Sequence, residues 1–247
     1  MKLTVIGCGD AWGSAGRHHA CFRLDAAGLV LTLDFGASSI VGWHRLGMDP
    51  AAIDAVVISH LHGDHFGGLP FLLMNAQYHS TRDKPLLIVG PPGLRQALDR
   101  AIEVFYPGVA RRGWRFDWRV HELEPGGSLA LNGVSLSSAS VLHGRDMAAT
   151  ALRVDDGKRV FAYSGDTAWT DDLIGISDRA DLFVVDCYSA DADIVGHLNW
   201  PVLRDNLSRL KARRIAVTHM SAAMRARSAE VVAAGVTPLD DGMEIEF

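Results

Sequence analysis

The amino-acid sequence predicts an α/β protein of the αββα type, a four-layer sandwich of two mixed β-sheets with helices on the outer faces. Strand-like and helix-like segments alternate in both halves of the 247-residue chain. Each of two sheets then needs cover on both faces, which face-to-face packing with outer helices provides. With 48% hydrophobic and 21% charged residues, the chain can fill one composite core. We therefore expect a single domain over residues 1–247.

The first half of the chain predicts strands separated by glycines and by three helices. Apolar runs of four to seven residues bounded by Gly or Pro are typical of strands, and apolar residues spaced three and four apart are typical of helices. Residues 55–58 form an apolar run within a predicted buried strand, 53–59, that ends at His60. The predicted strands are 2–7, 20–25, 29–34, 53–59 and 86–89, and the predicted helices are 37–46, 64–77 and 94–105.

The second half begins with a change of pattern. Residues 116–141 alternate polar and apolar side chains around Asn132-Gly133, a strong signal for a two-residue hairpin turn. We therefore predict an antiparallel meander there. It continues through the strands 149–154 and 159–163. After the meander, helices and strands alternate: helix 170–176, strand 182–186, helix 201–211, strand 215–218, helix 222–234 and strand 243–247.

Composition also restricts the partners and the compartment. The formal net charge is −5, without the basic excess of a protein that wraps nucleic acid, so we expect no long nucleic acid as a partner. No segment approaches the length of apolar chain that a membrane helix needs, so we expect no membrane contact. Cys8, Cys21 and Cys187 are odd in number and far apart in sequence. That pattern suits reduced thiols and predicts a cytoplasmic location.

The hexapeptide His60-Leu61-His62-Gly63-Asp64-His65 is the most informative motif in the chain. It places four potential metal ligands, His60, His62, Asp64 and His65, directly after a predicted buried strand. Imidazole and carboxylate donors suit borderline cations such as zinc. The alternative, a polar turn that happens to contain three histidines, requires a chance coincidence of spacing. The motif therefore predicts a metal site, with Asp64 near the positive end of the following helix.

Three further residues of ligand type stand in the same kind of position. His143, Asp166 and His219 each follow a predicted strand at its carboxyl end. A side chain there can point into the groove above a sheet while the backbone remains rigid. A single such histidine is usually a packing or surface residue, but the three together with the hexapeptide predict one shared site.

These motifs, in this order, resemble those of the metallo-β-lactamase superfamily, over almost the whole chain. The closest pattern is its phosphodiesterase branch, which includes ribonuclease Z and bacterial cyclic phosphodiesterases. The resemblance implies that His60, His62 and His143 bind one divalent transition-metal ion, and that Asp64, His65 and His219 bind a second. It also implies that Asp166 bridges the two ions. Zinc is the expected metal, with manganese or iron as alternatives, and a hydroxide held between the ions would attack the substrate.

The resemblance also implies a catalytic role for His197. It follows the 182–186 strand in a Gly196-His197 pair, and resembles the histidine that assists the leaving group in ribonuclease Z and its relatives. The alternative is a histidine that caps the next helix or packs against it. His197 and Asp64 are therefore the candidate catalytic residues.

Two departures from ribonuclease Z concern the substrate. Residues 144–165 are too few to hold the long arm that ribonuclease Z uses for transfer RNA, and Ala222-Ala223 replace a serine and an arginine near phosphate. We therefore expect a small ester substrate. Trp12, Trp169 and Trp200 lie in or beside the motif loops, where they either wall an apolar pocket or belong to the core.

The expected function is hydrolysis of small phosphodiesters, including cyclic ones, by a dinuclear metal centre. A carboxylic ester, a lactone or an aryl sulfate is the alternative substrate for the same centre, since fold likeness does not decide chemistry. Transfer-RNA 3′ processing and a non-catalytic metal-binding protein are the remaining alternatives. Because relatives in the phosphodiesterase branch are commonly dimers, we expect a homodimer.

Overall fold

Two seven-stranded sheets form the centre of the computed structural model, which describes residues 1–144 and 147–247. The strands are β1 Lys2–Gly7, β2 Cys21–Ala26, β3 Leu29–Leu33, β4 Ala55–Val57, β5 Leu86–Gly90, β6 Trp118–Glu122, β7 Ser128–Leu131, β8 Val134–Ser140, β9 Thr150–Asp155, β10 Val160–Tyr163, β11 Leu182–Asp186, β12 Ile215–Thr218, β13 Thr237–Pro238 and β14 Glu244–Glu246. The helices are α1 Ser39–Arg45, α2 Gly63–Phe66, α3 Leu69–Tyr78, α4 Leu94–Phe105, α5 Asp172–Ile176, α6 Trp200–Asn206, α7 Ala222–Arg225 and α8 Ser228–Ala233. No helix among the described residues is long and apolar enough to cross a membrane.

Both sheets mix parallel and antiparallel pairs, as the fold-class prediction requires. The first sheet has the order β14-β1-β2-β3-β4-β5-β6, and the second has the order β13-β12-β11-β10-β9-β8-β7. In the first sheet β3, β4, β5 and β6 run parallel, and in the second β10, β11, β12 and β13 do so. The predicted αββα sandwich is confirmed.

The predicted meander over residues 116–141 is wrong at its first strand. β6 does not pair with β7 but runs parallel to β5, with Leu86 opposite Trp118. Only β7 and β8 form the expected hairpin, closed at Asn132-Gly133 with both residues at positive φ. Polar alternation indicates a strand exposed on one side, and it does not say which strand lies next to it.

Three layers of apolar contacts hold the sandwich together. Between the sheets, Phe22, Phe161 and Tyr163 are buried against the small aliphatic side chains of both inner faces. Outside the first sheet, Trp43 packs among apolar residues of α3 and α4. Outside the second sheet, Trp200 of α6 packs among apolar residues of α5, α7 and α8. The helices therefore cover the two outer faces, which would otherwise expose apolar strands to water.

The predicted helix 64–77 is interrupted where the chain passes close to the first sheet. α2 ends at Phe66 and α3 begins at Leu69, with Gly67 and Gly68 between them. A Cβ on Gly68 would lie 2.2 Å from the carbonyl oxygen of Gly36. Only glycine permits this approach, which brings the short α2 up to the carboxyl ends of β3 and β4.

Candidate metal centre

All seven predicted ligands come together at one end of the sandwich. They leave the carboxyl ends of four strands: β4 leads to His60 and His62, β8 to His143, β10 to Asp166 and β12 to His219, while Asp64 and His65 lie on α2. Carboxyl ends of neighbouring strands meet at one edge of a sheet, and here the edges of both sheets adjoin.

The ligand atoms form two groups that share one carboxylate. In the first group, donor atoms of His60, His62, His143 and Asp166 lie within 4.8 Å of one another. In the second, donor atoms of Asp64, His65, Asp166 and His219 do the same. Six of the seven residues are buried, and His62 is partly exposed. The two groups of donors, which could each hold a metal ion, thus meet at the carboxylate of Asp166.

The tautomer of His143 follows from its hydrogen bond. Its Nδ1 lies 2.8 Å from the carbonyl oxygen of Gly196. Because a carbonyl only accepts, Nδ1 carries the hydrogen, and Nε2 of the neutral ring is left with its lone pair. Nε2 points at His62, whose Nδ1 is 2.9 Å away. The loop that contains Gly196 therefore aims a donor nitrogen into the site.

A similar relay sets the tautomer of His60. Ser59 Oγ donates to the carboxylate of Asp34 over 2.8 Å, so it accepts from Nδ1 of His60 at 3.0 Å. The lone pair of His60 Nε2 is then directed at Nδ1 of His62, 3.1 Å away. A hydrogen on Nδ1 of His62 can serve only one of its two nitrogen neighbours, so at least one inward lone pair, on His60 or His143, has no donor and repels the other. A shared cation would turn that repulsion into attraction.

Asp34 also orients His65. Its Oδ2 accepts from Nδ1 of His65 over 2.7 Å and from the hydroxyl of Tyr163 over 2.8 Å, all three residues being fully buried. Nε2 of His65, which has no hydrogen-bond partner, lies 3.3 Å from Asp64 and 3.2 Å from Asp166. Carboxylate–histidine pairs of this kind hold metal ligands in many proteins.

The pKa shifts of the second donor group, Asp64, His65, Asp166 and His219, show that its carboxylates need positive charge beside them. Burial disfavours a charged His65, but Asp166 and Asp34 outweigh it and raise its pKa well above the usual range. Burial is likewise outweighed at His219, where Asp166 and the hydrogen bond to Asp64 raise the pKa to about 9. Burial raises the pKa of Asp64 and Asp166, yet their histidine neighbours bring both well below the ordinary value. A divalent cation between these donors supplies the same charge, so the residues fit a metal.

His197 lies beside the ligands but belongs to neither group that shares Asp166. Its Nδ1 donates to Asp186 Oδ2 over 3.0 Å, which leaves Nε2 free. The ring stacks on His219 at 5.2 Å and meets His143 edge-on at 4.9 Å. Burial lowers the pKa of His197, but the hydrogen bond and charge of Asp186 more than compensate and raise it. The structure thus places a protonatable nitrogen at the edge of the site.

Sequence reasoning missed three residues that position the site. Asp34 orients His60 and His65, Asp186 orients His197, and Gly196 orients His143. A usable signal existed for the two carboxylates, since each acid directly ends or follows a buried apolar strand, in LTLD and LFVVD. No comparable signal existed for Gly196, because its role depends on how an irregular loop folds.

The three tryptophans separate into different environments. Trp169 borders a cavity of about 750 Å³ beside His143 and His197. Trp200 is fully buried in the outer core, where its indole donates to Glu230. Trp12 is 80% exposed and does not border that cavity. One of the three therefore walls an apolar pocket.

Comparison with known proteins gives a family match over most of the chain. The family described as the beta-lactamase superfamily domain matches residues 37–220. Ribonuclease Z of Methanothermobacter thermautotrophicus is 28% identical over 143 residues, which cover 58% of this chain and 45% of that protein. The bovine zinc phosphodiesterase ELAC protein 1 is 32% identical over 128 residues, which cover 51% of this chain and 34% of that protein. The matches thus span less than half the length of these relatives.

Among solved structures, human tRNase Z, short form, superposes with a TM-score of 0.82 at 24% identity, covering 100% of this chain and 99% of that one. This likeness shows a shared fold. The names of these relatives also contradict the expectation that no long nucleic acid is a partner, which is wrong. It rested on net charge and a missing arm, and a charge summed over the chain does not report the charge on the face that meets a polyanion.

Proposed function

The chain belongs to the beta-lactamase superfamily, whose family match covers residues 37–220, and from that premise we propose that it is a dinuclear metal-dependent phosphodiesterase. His60, His62 and His143 would hold one ion, Asp64, His65 and His219 the other, and Asp166 both. Zinc is the metal we propose first. The bovine relative is named a zinc phosphodiesterase, and the donors are imidazole and carboxylate groups, which suit zinc.

The observation that carries the proposal is the fixed direction of the histidine lone pairs. Hydrogen bonds from His60 to Ser59, from His65 to Asp34 and from His143 to Gly196 leave three Nε2 atoms facing inward. Such a set is preorganised, so binding an ion costs little rearrangement. Two ions held there would ionise a water near neutral pH and stabilise charge that develops on the phosphoryl oxygens.

The chain's own contribution to bond cleavage is His197. Hydrolysis forms a bond from the water oxygen to phosphorus and breaks the bond from phosphorus to the leaving oxygen, which then needs a proton. His197, protonated on Nε2, would supply it, and Asp186 would hold the ring in place and favour its charged form. Its ring contacts His143 of one ligand group and His219 of the other, so the donor would lie next to a phosphate bound between them.

Small phosphodiesters, including cyclic ones, are the substrates we propose first. In the span 144–165, where ribonuclease Z carries its arm, the described residues of this chain include the strands β9 and β10. RNA remains a substrate to test, because relatives of this chain are named ribonuclease Z. Lactones and aryl sulfates serve as the contrasting ester classes in the same assay.

The cysteines support a reducing compartment. Cys8, Cys21 and Cys187 are all free and buried in the described structure. Protein thiols persist in this state where disulfides do not form. We therefore propose the cytoplasm as the location, which fractionation of cells that produce the protein would test.

A hydrolysis panel on protein of defined metal content tests the proposed reaction. The substrates are bis-p-nitrophenyl phosphate, cyclic nucleotides, a precursor transfer RNA, a lactone and an aryl sulfate. We expect turnover of phosphodiesters that disappears on chelation and returns with zinc. Turnover confined to the lactone or the sulfate would contradict the proposal.

A further inference from the structure

The cavity beside His197 has walls that suit one kind of ligand. Its volume of about 750 Å³ is typical of a pocket for a small molecule. Apolar side chains of three loops and of α6 form most of the wall, namely Leu142, Ala168, Trp169, Ile194, Val195 and Val202. His143 and His197 border it on the side of the ligand cluster, so it is continuous with the proposed reaction site.

The polar groups in this wall are already bonded to one another. Asn199 Nδ2 donates to Asp193 Oδ1 over 2.7 Å, and Asn199 Oδ1 accepts from the backbone nitrogen of Val202 over 2.9 Å. Within the described part of the chain, no lysine or arginine lines the cavity. An anionic occupant is therefore disfavoured, since it would lose water without gaining a cationic partner and would lie near the carboxylate of Asp193.

Trp169 is a rigid part of the wall. Its Nε1 donates to Asp171 Oδ1 over 3.2 Å, and the guanidinium of Arg209 lies 5.3 Å from its ring centroid. Arg209 also pairs with Asp171, and neither residue borders the cavity. The indole is thus fixed from outside and offers the cavity an aromatic surface, which packs well against another flat ring.

The rim carries apolar side chains that are exposed in the described structure. Leu142 is 58% exposed, Ile194 40% and Val195 93%, all on the cavity. Apolar groups clustered at a cleft rather than scattered indicate a binding surface. A ligand that covered them would remove apolar surface from water, which is favourable.

We propose that this cavity holds the leaving group of the substrate and that this group carries a flat, uncharged ring. The inference rests on the proposed function, because it takes His197 as the donor to the leaving oxygen. His197 stands between the ligand cluster and the cavity, 4.9 Å from His143 and 5.2 Å from His219 between ring centroids. A group attached to the oxygen that His197 protonates therefore extends into the cavity. An aryl ring and a nucleobase share this chemistry.

Binding of an unreactive probe tests the cavity without turnover. Benzylphosphonate has a methylene where the bridging oxygen of a phenyl ester would be, and neopentylphosphonate has the same charge without a ring. On zinc-loaded protein, calorimetry should show benzylphosphonate binding about 3–10-fold more tightly, the size expected of an aromatic contact. Trp169→Leu and Ile194→Asn should each reduce this preference. Val104→Asn, at a 73% exposed residue on α4 away from the cavity, should preserve it.

Equal affinity for both probes in the unaltered protein, or a preference that survives in both cavity variants, would overturn the inference. Ile194→Asn guards against misfolding, since its side chain is partly exposed. Two turnover arms identify the source of the ring: phenyl against alkyl methyl phosphates of similar leaving-group acidity, and a dinucleotide against its analogue without the leaving-side base. Ring-dependent binding without turnover of any diester would support the cavity and reject the reaction. Turnover of diesters without ring preference would support the proposed reaction and reject the proposed role of the cavity.

Discussion

The two halves of the ligand cluster are supported in different ways. The buried half, Asp64, His65 and His219, lies in the interior, and the fully buried carboxylate of Asp34 accepts directly from His65. The open half, His60, His62 and His143, borders the cavity through His143 and is supported by the hydroxyl of Ser59 and the carbonyl of Gly196. A carboxylate strengthens a histidine ligand more than a neutral acceptor does.

This contrast suggests that one half mainly holds its ion and that the other half also faces the substrate. The buried half has a charged supporting contact, from Asp34, and a carboxylate of its own, Asp64, besides the shared Asp166, so we expect it to bind its ion more tightly. The open half is adjacent to the substrate cavity and to solvent, and its loop also supplies His197.

Asp166→Ala should have the largest effect because its carboxylate belongs to both halves. Oδ2 lies 3.2 Å from His65 and 3.3 Å from His219 in one half, and 3.8 Å from His60 in the other. Its loss removes a ligand and a compensating charge from both proposed ions at once. Elemental analysis should show loss of metal from both halves, and diester turnover should fall to background. Full retention of two ions would exclude the bridging role.

His197→Ala should lower kcat on an alkyl phosphodiester by about 10²–10⁴-fold, the usual range for a positioned general acid. Both ions should remain bound, because His197 is not one of the seven ligands. The loss should shrink for p-nitrophenyl esters, since a good leaving group departs without a proton. His121→Ala, at an exposed histidine of β6, is the control. Unchanged turnover of both ester types would show that His197 is only structural.

Asp34→Asn should weaken the ion of the buried half by about 10–100-fold, as expected when a supporting carboxylate is lost. His60 should be less affected, because Asp34 reaches it only through Ser59. Asp54→Asn provides a control, since each of the two carboxylates accepts from a backbone nitrogen, Asp34 from Ser59 and Asp54 from Val30, but Asp54 lies away from the site. Zinc titration followed by calorimetry gives both affinities. Equal weakening by the two substitutions would argue against a specific role for Asp34.

Gly196→Ala should have the smallest effect, and only on the open half. A Cβ there would lie 2.8 Å from Nδ1 of His143, and Gly196 has φ +81°. Displacement of His143 should weaken the open-half ion by about 10-fold, at the low end for a lost supporting contact. Gly157→Ala is a matched control, with φ +80° and nothing within 4 Å, and separates backbone strain from contact. If Gly196→Ala instead caused loss of the buried-half ion, the two halves would not be supported separately.

Sequence patterns predicted what depends on local chemistry. The helix 94–105 and the strands 2–7, 182–186 and 215–218 appear with the predicted bounds, because apolar periodicity and flanking breakers are local signals. The seven ligand positions follow from residue type at strand ends, and the structure brings them together. The partner of β6 and the break at Gly68 depend on distant chain segments, so no local pattern contained them.

The contacts that support the ligands could not be predicted from the sequence either, because they join residues far apart in the chain. Gly196 and His143 are 53 positions apart, and Asp34 and Tyr163 are 129 apart. Their pairing appears only when both sheets are assembled. The direction of each histidine lone pair, which is what makes the cluster a metal site, thus depends on tertiary contacts.

Zinc titration of metal-free protein tests the central claim, that the chain holds two ions in unequal halves. Calorimetry with parallel elemental analysis should show two ions per chain that bind in separable steps. The tighter step should weaken in Asp34→Asn and the weaker step in Gly196→Ala. Saturation at one ion per chain in excess zinc, or two steps that respond identically to both substitutions, would contradict the account.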